Sequence, residues 1–190
     1  MFATQQNVLG ARGKLQFLYS ASPGSARIAN GATTIDGGSA DPFRAAVFVG
    51  GGKAEIVPVA VDRALGGHGD APSSGDLLCA ALATSIDSSI RMAANAADIP
   101  IKALSVDVRG WVDMRGALAV DDVPVGFQTM VCTVRIEPAS AVDPAHMRQM
   151  LVAAERASIV LATLRRAVSC HIRIEYGQSA ANAEPFANAA

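Results

Sequence analysis

The sequence predicts an α+β fold, with two helices packed on the dry face of antiparallel sheet. Three observations carry this. Several short segments alternate apolar and polar residues with period two, as strands with one wet face do. Two longer segments, Asp76 to Ala97 and Asp143 to Arg166, repeat apolar residues at spacings of three and four. The order along the chain is strands, helix, two strands, helix, strand, which is neither a βαβ series nor a helical bundle.

The elements follow in order. Residues 1–24 read as a weakly helical or irregular lead-in in which Val8, Leu15, Phe17, Leu18 and Tyr19 offer apolar contacts. A strand is expected over Ser25 to Ile35, closed by the turn signal Asp36-Gly37-Gly38. Phe43 to Val49, the glycine run Gly50-Gly51-Gly52 and Glu55 to Val61 read as a hairpin. The loop LGGHGDAPSSG (Leu65 to Gly75) is too rich in Gly, Pro and Ser for regular structure.

Ser73 or Ser74 can cap the first long helix, Asp76 in its first turn complements the helix dipole, and Ile99-Pro100 ends it. Alternation then places a strand on Val106, Val108, Val112 and Met114, and another on Met130, Cys132, Val134 and Ile136. Asp143 and Pro144 supply a cap and a first helical residue for the second helix. Cys170, Ile172, Ile174 and Tyr176 read as a last strand, and residues 177–190 as a disordered tail.

The bulk properties exclude several classes of function. A net charge of −1, from 16 basic and 17 acidic residues, supplies no footprint for nucleic acid. No apolar run approaches the roughly 20 residues that span a bilayer, and the first residues lack the pattern of a secretory signal. No membrane association and a cytoplasmic location are the expectations. Three cysteines, Cys79, Cys132 and Cys170, form no CxxC pair, and the three histidines, His68, His146 and His171, are scattered. Neither a disulfide framework nor a metal or other cofactor is expected.

The segment LGGHGDAPSSGDLLCAALATSIDSSIRMAANAADIPI (Leu65 to Ile101) resembles the Gly-Gly loop, P-x-x-[ED]-LL-x-AALA helix and terminating proline of the OsmC/Ohr family, the osmotically inducible and organic hydroperoxide resistance proteins. LSVDVRGWVDMRG (Leu104 to Gly116) resembles the following strand, and AAERASIVLATLRRAV (Ala153 to Val168) the segment that carries the family's second cysteine. The resemblance covers about residues 25–176. It implies antiparallel sheets packed on two central helices in an intertwined homodimer, with a site at the subunit interface. Reactive members are peroxiredoxin-like thiol peroxidases of the oxidative stress response. One cysteine attacks a hydroperoxide, a second resolves the sulfenic acid, and an arginine and a glutamate position and activate the first.

On this alignment both cysteine positions hold serine, Ser85 and Ser158. The glutamate position, ten residues before Ser85, holds Gly75, and Asp76 is the nearest carboxylate. Arg44 is the candidate for the arginine. A hydroxyl is un-ionised at neutral pH and cannot cycle through sulfenic acid and disulfide, so thiol peroxidase chemistry by this route is not expected. The expectation is a family member that has lost that chemistry and binds a small apolar ligand or hydroperoxide between subunits. The alternative is an organic hydroperoxide reductase whose two cysteines stand as serine in this sequence.

Other readings are weaker. Neither serine lies in a GxSxG elbow or beside a histidine at a motif position, so both are expected to be small polar residues bonded to a backbone carbonyl. Cys79 lies six residues before Ser85, about 240° round the helix, and faces elsewhere. Cys132 and Cys170 read as core residues. LGGHGD lacks the spacing of a phosphate loop and reads as a flexible connection with His68 in solvent. Asp87, in mid-helix, is expected to pair with an arginine from elsewhere or across a dimer interface rather than to lie at a wet helix edge.

Overall fold

The computed structural model describes residues 3–35, 41–50, 55–166 and 168–174. It divides into two compact units, one of Met1–Ala26 with Gly75–Ala167, the other of Arg27–Ser74 with Val168–Ala190. The predicted α+β class holds.

The second unit carries a three-stranded antiparallel sheet, β1 (Ala32–Ile35), β2 (Arg44–Val49) and β3 (Glu55–Ala60), with β2 in the centre. The first predicted strand shrinks to β1: Ser25 and Ala26 lie in the 3₁₀ turn Pro23–Ala26, and residues 27–31 are irregular. Pro58 lies in β3, an outer strand, where the missing N–H costs no ladder bond on the open side.

The first unit opens on helix α1 (Ala3–Ala21), so of the two readings of the lead-in, weakly helical or irregular, the helical one holds, over 19 residues. Helix α2 (Ser74–Ala96) follows the Gly-rich loop. It ends where Asp98 turns left-handed (φ 53°) and the Ile99 N–H donates to the Ala94 carbonyl at 2.9 Å. By length and composition alone α2 could cross a membrane, contrary to the sequence expectation. Yet Asp87 and Arg91 pair on one side of it at 2.6 Å, while Leu82, Ile86, Ile90 and Ala94 are buried on another. That division is the pattern of a helix whose apolar stripe faces a protein core. The arginine that pairs with Asp87 is therefore Arg91, one turn along the same helix, rather than the expected one from elsewhere, and the pair is part-exposed.

Strands β4 (Ile101–Trp111) and β5 (Thr129–Pro138) pair antiparallel over almost their whole length. Leu104, Val106, Val108, Met130, Cys132 and Ile136 pack from this sheet against the α2 core stripe, Met150 and Ala154. The predicted alternation stops earlier than expected. Asp113 leaves the strand to cap the short α3 (Met114–Ala117), accepting the Arg115 N–H. The second long helix also differs. It divides at Ser158, which is extended (φ −75°, ψ 107°), into α4 (Pro144–Ala157) and α5 (Ile159–Leu164). Asp143 caps α4 as predicted, taking the His146 N–H at 2.9 Å.

No strand forms over residues 168–174, and Tyr176 and the predicted tail lie outside the described residues. Cys170 is therefore exposed rather than a core residue, and Ile172 is 90% exposed. A strand persists only on a ladder partner, and the described chain provides none there.

Candidate functional site

The α2 stripe and the α4–α5 break bring two hydroxyls together. Ser85 lies on α2 next to the buried Ile86 and one turn before the buried Ser89. Ser158 is 1% exposed at the break. Their Oγ atoms are 3.0 Å apart, a hydrogen bond in which either can donate. The Val160 N–H also donates to Ser85 Oγ, at 3.3 Å. The expected backbone-carbonyl partner gives way to a second hydroxyl and an amide, because Ser158 is not inside a helix at all.

The other two sequence candidates are not part of this contact. Asp76 is nine residues before Ser85, roughly 14 Å along the helix axis. Its charge bears on Cys79, whose thiol is pushed above its ordinary value first by burial and then by Asp76. Arg44 belongs to the other unit, where it pairs with Asp41 at 3.1 Å and Asp70 at 2.6 Å.

The helices that hold the serine pair, though neither serine itself, help to line a cavity of about 960 Å³, inside the range of small-molecule sites. Leu82 and Ile86 of α2, Met130 and Cys132 of β5 and Leu161 of α5 give it an apolar lining, and Arg165 lies at its edge. Arg165 bridges back across the break to Glu155 at 2.7 Å. Burial, with the nearby Cys79, raises the Cys132 thiol, and Arg165 opposes this. Both half-buried thiols are therefore poor sources of thiolate at neutral pH. Among the described residues, no group of three or more His, Cys, Asp or Glu could hold a metal ion.

Sequence reasoning missed a second polar cluster. Asp41 accepts the Phe43 N–H at 2.9 Å with one oxygen and meets Arg44 Nε and His68 Nε2, each at 3.1 Å, with the other. His68 is solvent-exposed, as expected, but it also packs edge-on to Phe43 with ring centroids 5.9 Å apart. The Gly-rich loop folds tightly around it. Gly69 is left-handed (φ 62°), and a Cβ on Gly67 would fall 1.7 Å from the Val61 carbonyl oxygen. No signal in the sequence joins Asp41 to His68, 27 residues away.

A family model described as OsmC-like protein matches residues 67–173. No curated protein matches the chain. Solved structures share the fold. An OsmC-like protein of Mycoplasma pneumoniae is 12% identical with a TM-score of 0.56, over 72% of this chain and 87% of that one. An organic hydroperoxide resistance protein OsmC of Legionella pneumophila is 19% identical with a TM-score of 0.54, over 72% and 89%. An organic hydroperoxide resistance protein of Elizabethkingia anophelis, with thiocyanate bound, is 17% identical with a TM-score of 0.55, over 72% and 88%.

Proposed function

This chain belongs to the OsmC-like protein family, and from that premise we propose that it is a member without thiol peroxidase chemistry, holding a small apolar ligand in the cavity lined by the helices that hold Ser85 and Ser158. The observation that carries the reading is the 3.0 Å contact of the two hydroxyls. They occupy the positions that the family resemblance assigns to the attacking and resolving cysteines. Oxygen at both positions removes the sulfenic acid and the disulfide, and with them the cycle. Cys79 and Cys132 offer no ready substitute, since burial pushes both thiols above their ordinary value and away from the thiolate.

The relatives named for organic hydroperoxide resistance suggest a role near peroxide stress. On the present reading that role is binding of an apolar compound rather than its reduction. A homodimer belongs to the same proposal. Trp111 and Val131 expose apolar surface on the β4–β5 hairpin, and a two-stranded sheet of this length has open edges that a second copy can cover.

One observation also favours the alternative of a hydroperoxide reductase whose cysteines stand as serine. Two side chains already in contact need little movement to become a disulfide. Ser85→Cys/Ser158→Cys separates the readings. Peroxide reduction in that double variant, with none in the chain as it stands, means that only the two sulfurs are missing. No reduction means that the surroundings have diverged too. Retention of an apolar compound by the native protein, read by native mass spectrometry, tests ligand binding, and light scattering tests the dimer.

A further inference from the structure

We infer that Ser85 is the N-terminal cap of α5, supplied from α2, and that it positions the α5 wall of the cavity. The break at Ser158 starts a new helix, and the first N–H groups of any helix lack partners four residues back. The usual remedy is the side chain of the residue at the cap. Ser158 is at that position and is a favoured type for it, but its side chain makes no capping bond. Its hydroxyl is engaged with Ser85 instead. The amide that needs an acceptor, Val160 at the second helical position, donates to Ser85 Oγ. The cap thus comes from 75 residues earlier in the chain.

This matters because α5 has only six residues. A helix so short does not persist by its own backbone bonds and depends on what holds it. α5 brings Leu161 and Leu164 to the cavity, with Arg165 just beyond its end. Glu155 restrains the far end through Arg165, and Ser85 restrains the near end. Ser85 therefore acts on the cavity as a positioning residue, through α5. A thiol is a weak acceptor, so cysteine at this position would preserve the volume while weakening the cap. Serine here has a structural task of its own.

The part concerning the cavity rests on the ligand reading above, and the experiment keeps the two apart. Native-state amide exchange by NMR is compared for wild type, Ser85→Ala, Ser158→Ala, Ser85→Cys and Ser85→Thr. Ser85→Ala is expected to speed exchange at Val160 and through α5 by roughly five- to tenfold, the loss expected of one N-cap. Ser158→Ala leaves Val160 within about twofold, because its acceptor remains. Ser85→Cys follows the alanine variant, and Ser85→Thr, which keeps the hydroxyl, follows wild type. Equal loss of protection at Val160 in the two alanine variants, or a cysteine variant indistinguishable from wild type, overturns the cap.

The fluorescent probe 1-anilinonaphthalene-8-sulfonate reads the cavity. Binding that weakens in Ser85→Ala and Ser85→Cys but not in Ser85→Thr is the expected result. Unchanged binding in all three overturns the positioning role. A wild-type protein that binds no probe contradicts the ligand reading, while exchange still decides the cap.

Discussion

Two polar clusters, one in each unit, show how differently the same kinds of bond act when dry and when wet. The Ser85–Ser158 pair sits against a core in which Leu82, Ala94 and Ser158 are each 1% exposed. The Asp41–Arg44–His68–Asp70 cluster has more bonds and full charges, but its side chains are 27% to 50% exposed. Coulomb attraction between exposed groups is screened by water and salt, and ordering long side chains offsets part of it. A buried neutral hydroxyl gains little when paired but is costly when its partner is removed. The smaller cluster is therefore expected to matter more.

That contrast can be broken at several points. The largest effect belongs to the core behind the serines. Leu82→Ala should cost about 2–5 kcal/mol in denaturant unfolding, the range for a fully buried leucine. A loss below that range would mean that the α2 stripe is not the centre of the unit. Ser158→Ala should follow at about 1–3 kcal/mol, since it removes a buried bond. Ser85→Ala/Ser158→Ala should cost less than the two single changes added together, because the hydroxyls serve one another. Strict additivity would show that they do not interact.

The wet cluster should give the smallest change, and one that depends on pH. The Phe43 N–H, followed by Arg44 and His68, holds the Asp41 carboxyl below its ordinary value, against a smaller opposing effect of burial. A depressed carboxyl contributes stability that is present above its unfolded value, near pH 4, and is lost as pH falls through the lower folded value. The stability gap between wild type and Asp41→Asn should therefore close as pH falls below about 4. A gap that widens below about pH 4 would reverse the sign and contradict the pairing.

Much of the fold could be read directly from residue pattern. Alternation along Val106–Val108 and Met130–Ile136 located the paired strands, and Asp143-Pro144 located the start of α4. These signals are local, and local backbone physics is enough to express them. The break at Ser158 was not legible, because Met147, Met150, Leu151, Ala154 and Leu161 continue one helical stripe across it. What accompanies the break is a hydroxyl 73 residues away in sequence. The site was half legible. Its two serines came from the family resemblance, whereas the Val160 amide and the Glu155–Arg165 bridge depend on how α5 packs. The missing strand at Cys170 has the same origin, since alternation signals a strand but cannot supply its neighbour.

On the proposed function, oxygen at Ser85 and Ser158 leaves this OsmC-like chain without thiol peroxidase turnover. Cumene hydroperoxide reduction by the native protein, with a dithiol as electron donor, tests it most directly. The account predicts a rate equal to that of the dithiol alone at every protein concentration. A saturable rate proportional to protein, and abolished by Cys79→Ala, would contradict it.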